Sequence, residues 1–183
     1  EETLVVYTPA IPEDMGELVY VRENGYRVVK RSRMLGEIAQ GQRCLAVAGT
    51  HGKTTTSTLL AHIFTDSGEG CSAFLGGISK NYDTNLLVSR NSTIVAEADE
   101  FDRSFLQLFP EIAVITSMDA DHLDIYGTEE AYNESFAHYA SLVQEALVVK
   151  KNIASRLSPL ASSPHRLFTY AVDEPADFFA DNI

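Results

Sequence analysis

Three short stretches carry side chains and backbone that could do chemistry. The first is Ala48-Gly49-Thr50-His51-Gly52-Lys53-Thr54-Thr55, directly after an apolar run and directly before a helix-like segment. Glycines let a backbone wrap an anion without Cβ clashes, and the unpaired N–H groups of a helix start favour phosphate. A lysine at position 53 can reach the terminal phosphates of a nucleotide, and the Thr54 hydroxyl can sit on Mg²⁺. The common pattern G-x-x-x-x-G-K-[ST] is departed from at its first glycine, where this chain has Val47. The second stretch, Val95–Asp102, holds Glu97, Asp99 and Glu100. The third, Ser117–Gly127, holds Asp119, Asp121, His122 and Asp124. Each follows an apolar run, and ligands of an Mg²⁺–nucleotide site typically come from the carboxyl ends of neighbouring parallel strands. If the three runs are adjacent strands, both acidic clusters lie beside the glycine loop. A solvated acidic loop is the alternative for either cluster alone.

The elements that must position these residues are legible as alternating apolar, β-branched runs and helix-like segments. Strands are expected at 4–8, 26–30, 43–48, 92–98, 111–117, 146–151 and 166–172, and helices at 31–40, 53–67 and 128–143. The central runs are almost continuously apolar, as in a parallel sheet buried on both faces. Alternation of strands and helices then predicts an α/β, doubly wound, mostly parallel sheet with a phosphate loop, preceded by a partial Rossmann-like α/β segment. In the 53–67 helix, Leu59, Leu60, Ile63 and Phe64 define the expected buried face, with Gly68 at the C-terminal cap. Glu129 and Glu130 suit the dipole at the start of the 128–143 helix. The Ser- and Pro-rich stretch 152–165 reads as a loop. A boundary is expected near 40–43, dividing the chain into residues 1–42 and 43–183.

Composition excludes some classes. The chain has 183 residues, 45% of them apolar, and a formal net charge of −12. So acidic a surface argues against a nucleic-acid partner, because phosphate neutralisation needs basic patches. A nucleotide is still admissible, since loop amides, one lysine and Mg²⁺ supply positive charge locally. Cys44 and Cys71 have no metal-like spacing and read as reduced thiols of a cytoplasmic protein. No apolar run reaches membrane-span length, so no membrane partner is expected. The chain starts in mid-strand character without an initiator Met, and is read as a piece of a longer protein.

Taken together, G-T-H-G-K-T-T-T at 49–56, E-A-D-E at 97–100 and D-H-L-D at 121–124 resemble the Mur ligase family. The stretch F-L-G-G-I-S-K-N-Y-D-T-N at 74–85 is similar to the segment after that family's first ATPase helix, and V-V-Y-T-P-A-I-P-E-D with R-S-R-M-L-G-E-I-A to the end of its N-terminal domain. The resemblance implies that residues 1–42 end the UDP-sugar-binding domain, that residues 43–183 form much of the central ATP-binding domain, and that a C-terminal domain is missing. It implies a ligase, using ATP and Mg²⁺, that joins L-alanine to the carboxylate of UDP-N-acetylmuramate through an acyl phosphate in peptidoglycan precursor synthesis.

Carried over by position, the resemblance makes Gly49, Thr50, His51, Gly52, Lys53, Thr54 and Thr55 the ATP-binding loop. Lys53, Glu97 and His122 become catalytic; Thr54, Glu97 and His122 become metal ligands, His122 for a second Mg²⁺. Asn85, Asp99 and Glu100 become substrate-binding candidates. Some family members carry a carbamylated lysine after the D-H-x-D motif, whereas this chain has no lysine between His122 and Val149. Alternatives left open are a ligase that attaches a recycled tripeptide to UDP-N-acetylmuramate, a phosphate-loop ATPase that drives a partner's motion, and a nucleotide-binding module without ligase activity. Oligomeric state is not legible.

Overall fold

A computed structural model of the chain describes residues 3–120, 123–157 and 166–182. Strands β1 (Leu4–Tyr7) and β2 (Arg27–Lys30) pair in parallel in a small sheet of their own. Helix α1 (Gly16–Glu23) connects them and α2 (Arg31–Ala39) follows. The remaining strands are β3 (Arg43–Ala48), β4 (Ser72–Ser79), β5 (Thr84–Leu87), β6 (Thr93–Glu97), β7 (Ile112–Ile115), β8 (Ala146–Lys150), β9 (Arg166–Val172) and β10 (Phe178–Ala180). They form one sheet in the order β10-β9-β8-β7-β3-β6-β4-β5, parallel except for the β4–β5 pair. Helices α3 (Lys53–Asp66), α4 (Leu123–Tyr126), α5 (Glu129–Ser141) and α6 (Lys151–Leu157), and a 3-10 segment at Phe101–Gln107, complete the α/β fold.

The sequence explains the middle of this sheet. Cys44–Ala48 in β3 and Thr93–Ala96 in β6 are buried without interruption, as strands covered on both faces must be. β3 lies between β6 and β7, in register through Ala46↔Ala96 and Ala48↔Ile115. From β6 the chain passes to the other side of β3, so the carboxyl end of β3 is a switch point, where open α/β sheets hold their ligands.

One face of the sheet is covered by aromatics. Along α5, Tyr132, Phe136, Tyr139 and Ala140 recur at helical spacing and are buried. Phe105 of the 3-10 segment stacks on Tyr139 (centroids 4.8 Å, 12°) and meets Phe136 edge-on (5.1 Å, 70°). The row continues through Tyr132 to Tyr126, with centroids 5.0 and 4.9 Å apart. Thr128 caps α5 by accepting a hydrogen bond from Ala131 N at 3.2 Å.

Three expectations are corrected. In α3, Leu59 and Ile63 are exposed (57% and 55%). The buried side carries Ser57 and Ala61, with Leu60 and Phe64 against Leu45, Ala73 and Val95. Small side chains there let α3 lie close to the sheet, which two more branched residues would prevent. The stretch 152–165 is not all loop: α6 occupies Lys151–Leu157 and buries Ile153 and Leu157, while residues 158–165 lie outside the described residues. Strands β4, β5 and β10 and helices α1 and α4 were not expected at all. Gly68, with φ +84°, ends α3 as expected.

Cys44 and Cys71 are 2% and 3% exposed and form no disulfide. Burial, seconded by the Glu111 carboxylate, pushes the Cys44 thiol up to about 12, and burial also raises that of Cys71. Thiolate is the reactive form. At pH 8 both cysteines are expected to resist a disulfide-exchange reagent in the folded protein and to react together once it is unfolded; rapid titration of either in the native protein contradicts this packing.

Candidate functional site

Gly49 leaves β3 with φ +130°, a value open to glycine, and Gly52 turns into α3 with φ +83°. A Cβ on Gly49 would lie 2.2 Å from Thr116 Oγ1 and 2.8 Å from Ser117 N, so the loop is built directly against the exit of β7. Thr50 N donates to Ser117 O (3.3 Å) and His51 N to Ser117 Oγ (2.8 Å). The single Thr116 hydroxyl proton is shared between Ala48 O (3.1 Å) and His51 O (2.5 Å), the latter being the shorter contact. Thr50 Oγ1 donates to Asp119 O at 2.8 Å and lies 2.8 Å from the Tyr132 hydroxyl.

The β7 exit is itself held from behind. Arg156 of α6 donates to Met118 O (2.9 Å), Asn133 Oδ1 (2.6 Å) and Glu129 Oε1 (3.2 Å). Tyr170 of β9 donates its hydroxyl to Thr116 O at 3.0 Å. The glycine loop therefore rests on a stretch anchored by two further elements.

Lys53 folds back along its own loop. Its ammonium donates to Gly49 O (2.7 Å) and to Glu100 Oε1 (3.1 Å). Glu100 Oε2 is closer, at 2.8 Å, but poorly aligned, and receives no hydrogen bond among the described residues. Glu97 faces Thr54: its Oε1 accepts from the Thr54 hydroxyl at 3.0 Å, and its Oε2 from Gly76 N at 2.8 Å. Asp99 Oδ1 accepts from Phe101 N at 3.2 Å and so starts the 3-10 segment rather than facing Thr54.

Two hollows meet here. A smaller one of about 360 Å³ is lined by Thr50, His51, Gly52, Lys53, Thr54, Thr55 and Glu97. A larger one of about 570 Å³ extends to α2 and β4, with Arg31, Met34, Leu35 and Phe74 beside Asn85 and Asp99. Lys53 and Glu97 line both.

The structure thus brings Gly49, Thr50, His51, Gly52, Lys53, Thr54, Thr55, Glu97 and Glu100 to one place, and sets Asn85 and Asp99 on the wall of the larger hollow. Asp121 and His122 lie outside the described residues. Among the described residues no three His, Cys, Asp or Glu side chains converge as a metal site. The Thr54 hydroxyl and the Glu97 carboxylate are nevertheless hard oxygen donors 3.0 Å apart, a pair that suits Mg²⁺ completed by phosphate and water oxygens. Sequence reasoning missed Gly76, Thr116, Tyr126, Tyr132, Arg156 and Tyr170. Only Gly76 had a signal: paired glycines inside a strand mark a close approach.

The family model described as Mur ligase middle domain matches residues 47–183, and the one described as Mur ligase family, catalytic domain, matches residues 1–43. The chain is 55% identical over 184 aligned residues to the UDP-N-acetylmuramate–L-alanine ligase of Porphyromonas gingivalis, covering 100% of this chain and 40% of that protein. It therefore spans about 40% of the length of the curated relatives it matches. Among solved structures, the UDP-N-acetylmuramate-alanine ligase MurC of Thermotoga maritima superposes with a TM-score of 0.79 at 26% identity, over 93% of this chain and 39% of that one. The UDP-N-acetylmuramate:L-alanyl-gamma-D-glutamyl-meso-diaminopimelate ligase of Neisseria meningitides reaches the same TM-score at 23% identity, over 90% and 58%, a likeness of fold.

A Cβ on Gly76 would stand 2.3 Å from Glu97 Oε1, whereas one on Gly77 meets only Thr54 Cγ2, at 3.4 Å. Gly76→Ala is expected to cost about 1–3 kcal/mol, as overpacking does, and to part Glu97 from Thr54; Gly77→Ala should be milder. A crystal structure of the Gly76→Ala protein that keeps the Thr54–Glu97 hydrogen bond would overturn this account of how Glu97 is seated.

Proposed function

Because the chain belongs to the Mur ligase family, we propose that it is part of an ATP-dependent ligase joining L-alanine to the carboxylate of UDP-N-acetylmuramate. The observation that carries this reading is that Lys53 and Glu97 line both hollows, one sized for a polyphosphate and one broader and partly apolar. A carboxylate entering by the larger hollow meets a phosphate held in the smaller one at these two side chains. Support for L-alanine as the amino acid comes from the identity to ligases of that name over the whole chain.

In the proposed reaction, a carboxylate oxygen of the sugar bonds to the γ-phosphorus of ATP and the bond to the β-bridging oxygen breaks, leaving an acyl phosphate and ADP. The amine of L-alanine then bonds to the acyl carbon, loses a proton, and inorganic phosphate departs. Such transfers rely on positioning and charge neutralisation more than on covalent work by the protein. The amides at the start of α3 and the Lys53 ammonium bind the phosphates, with Gly49, Thr50, His51, Gly52 and Thr55 shaping the cradle. Thr54 and Glu97 would hold Mg²⁺, which supplies charge neutralisation on the phosphate oxygens. His122 as ligand of a second Mg²⁺ rests on family likeness. Asn85 and Asp99 are proposed to face the sugar substrate; Glu100, expected beside them, is 1% exposed and lines neither hollow, so it is not assigned there.

Residues 1–42 are proposed as the end of the UDP-sugar-binding domain and 43–183 as the central domain. This division is supported by the separate β1–β2 sheet and by the break between the two family matches. A cytoplasmic location is proposed from the nucleotide substrates. No helix among the described residues is long and apolar enough to cross a membrane.

The test is ADP release by the full-length ligase carrying this segment, with UDP-N-acetylmuramate and either L-alanine, glycine, L-serine or a tripeptide. L-Alanine is expected to be preferred, and preference for the tripeptide would overturn the assignment. In the same assay Lys53→Ala is expected to lower turnover by on the order of 10²-fold or more, the scale of a lost transition-state charge contact. Its melting temperature should fall, because the variant leaves the buried Glu100 carboxylate without its cation, so turnover is compared at a temperature where both proteins are folded. Near-normal turnover would remove residues 49–55 from the phosphate site.

A further inference from the structure

Glu100 is a buried charge that the proposed reaction does not use. The residue is 1% exposed, yet its carboxylate is directed at the one cation of the phosphate loop. Its backbone is fixed: Glu100 O accepts from the Tyr126 hydroxyl (2.5 Å) and from Arg103 N (3.0 Å). The next turn holds Asp102 and Arg103 at φ +50° and +54°, a left-handed pair that costs energy for residues other than glycine. Arg103 lies over the Tyr126 ring, its guanidinium carbon 4.7 Å from the centroid, and Asp102 pairs with Lys30 at 2.7 Å. The carboxylate is thus presented to Lys53 from a rigid seat rather than from a free loop.

A phosphate and Glu100 make opposing demands on one ammonium. In a largely dehydrated site a full negative charge 2.8 Å from that ammonium offsets much of the field it offers elsewhere. Gly49 O and Glu100 Oε1 take two of the three ammonium donors, and the third has a long contact to Thr50 O at 3.5 Å.

We propose that Glu100 is a positioning residue that acts through Lys53: it aims the ammonium and holds down its attraction for nucleotide phosphates, so that nucleotide is bound less tightly than the loop alone allows and can be released after each turnover. This rests on the reading of residues 49–55 as an ATP-phosphate cradle. It adds that the loop's affinity is set from outside the loop, by a buried carboxylate 47 positions away in sequence.

The experiment is a double-mutant cycle on the full-length ligase, reading the Kd of Mg²⁺–ADP by calorimetry together with KM for ATP, kcat and melting temperature. Glu100→Gln keeps the shape and an acceptor for Lys53 but removes the charge. It is expected to tighten ADP by about fivefold to tenfold, within the range of coupling between groups in contact. KM for ATP should fall and kcat should not rise. Glu100→Asp retains the charge but withdraws it by one methylene. It should give a smaller gain in the same direction, and it keeps the question answerable if the amide variant folds poorly. In a Lys53→Ala background Glu100→Gln should change ADP affinity by less than about twofold, since the effect runs through the lysine. Unchanged or weaker ADP binding in both Glu100 variants overturns the proposal, as does a lowered melting temperature with unaltered affinity, or an equal gain without Lys53. If Lys53→Ala alone binds ADP as tightly as wild type, it is the phosphate-cradle reading that has failed, and this inference falls with it.

Discussion

Gly49 sits where the chain leaves β3 and touches the exit of β7, and neither segment can be placed without the other. With a Cβ barred by Thr116 Oγ1 at 2.2 Å, the loop has no room to move toward β7. With the Thr116 hydroxyl donating to His51 O at 2.5 Å, it is held from moving away. The amides of Thr50 and His51 are committed to Ser117. An anion in the smaller hollow would meet the amides at the start of α3 and the Lys53 ammonium, so that hollow is shaped as much by β7 as by the loop's own glycines. Parallel pairing of β6, β3 and β7 is the precondition, because it alone delivers three strand ends to one edge.

The aromatic row beneath the site turns hydrophobic packing into polar precision. Tyr126 and Tyr132 are buried by their rings, at 4% and 0% exposure, and their hydroxyls emerge at the two loops that matter. One holds Glu100 O and the other meets Thr50 Oγ1. Burial raises the Tyr126 hydroxyl well above the usual phenol range, so it stays a donor at any physiological pH. Rings packed on Phe136 and Phe105 have few alternative positions, and a site suspended from them inherits that stiffness.

The glycine loop, the three central strands and the carboxylates that follow β6 were readable in the sequence because each has a local cause. Continuous apolar runs mark buried parallel strands, and a Gly-Lys-Thr before a helix marks a cradle. What escaped has no local cause. β4 and β5 read S-A-F-L-G-G-I-S and T-N-L-L, with glycines that depress strand propensity; they exist because β6 offers an edge and because Glu97 needs a glycine beneath it. The exposed positions of Leu59 and Ile63 leave Leu60 and Phe64 of the expected apolar stripe on the sheet beside Ser57 and Ala61, since close approach to the sheet selected small residues over branched ones. Glu97 and Glu100 look alike in sequence, three residues apart. Only the fold separates one that faces Thr54 and Gly76 from one that is sealed against Lys53.

That separation comes from the turn between β6 and the 3-10 segment. Asp99 starts the segment through Phe101 N, which forces Glu100 inward, and the left-handed pair at Asp102 and Arg103 follows at once. Such a conformation persists only where the surroundings over-determine it. Here Lys30, the Tyr126 ring and Ser135 do so, from β2, α4 and α5 respectively. Lys30 belongs to the small sheet, and Gly36 of α2 lies so close to Gln107 that a Cβ there would meet its carbonyl at 2.3 Å. The first 42 residues are therefore pressed onto the same turn that aims Glu100. A shift of the small sheet against the large one would be felt first at Asp102, and two residues earlier at the carboxylate facing Lys53.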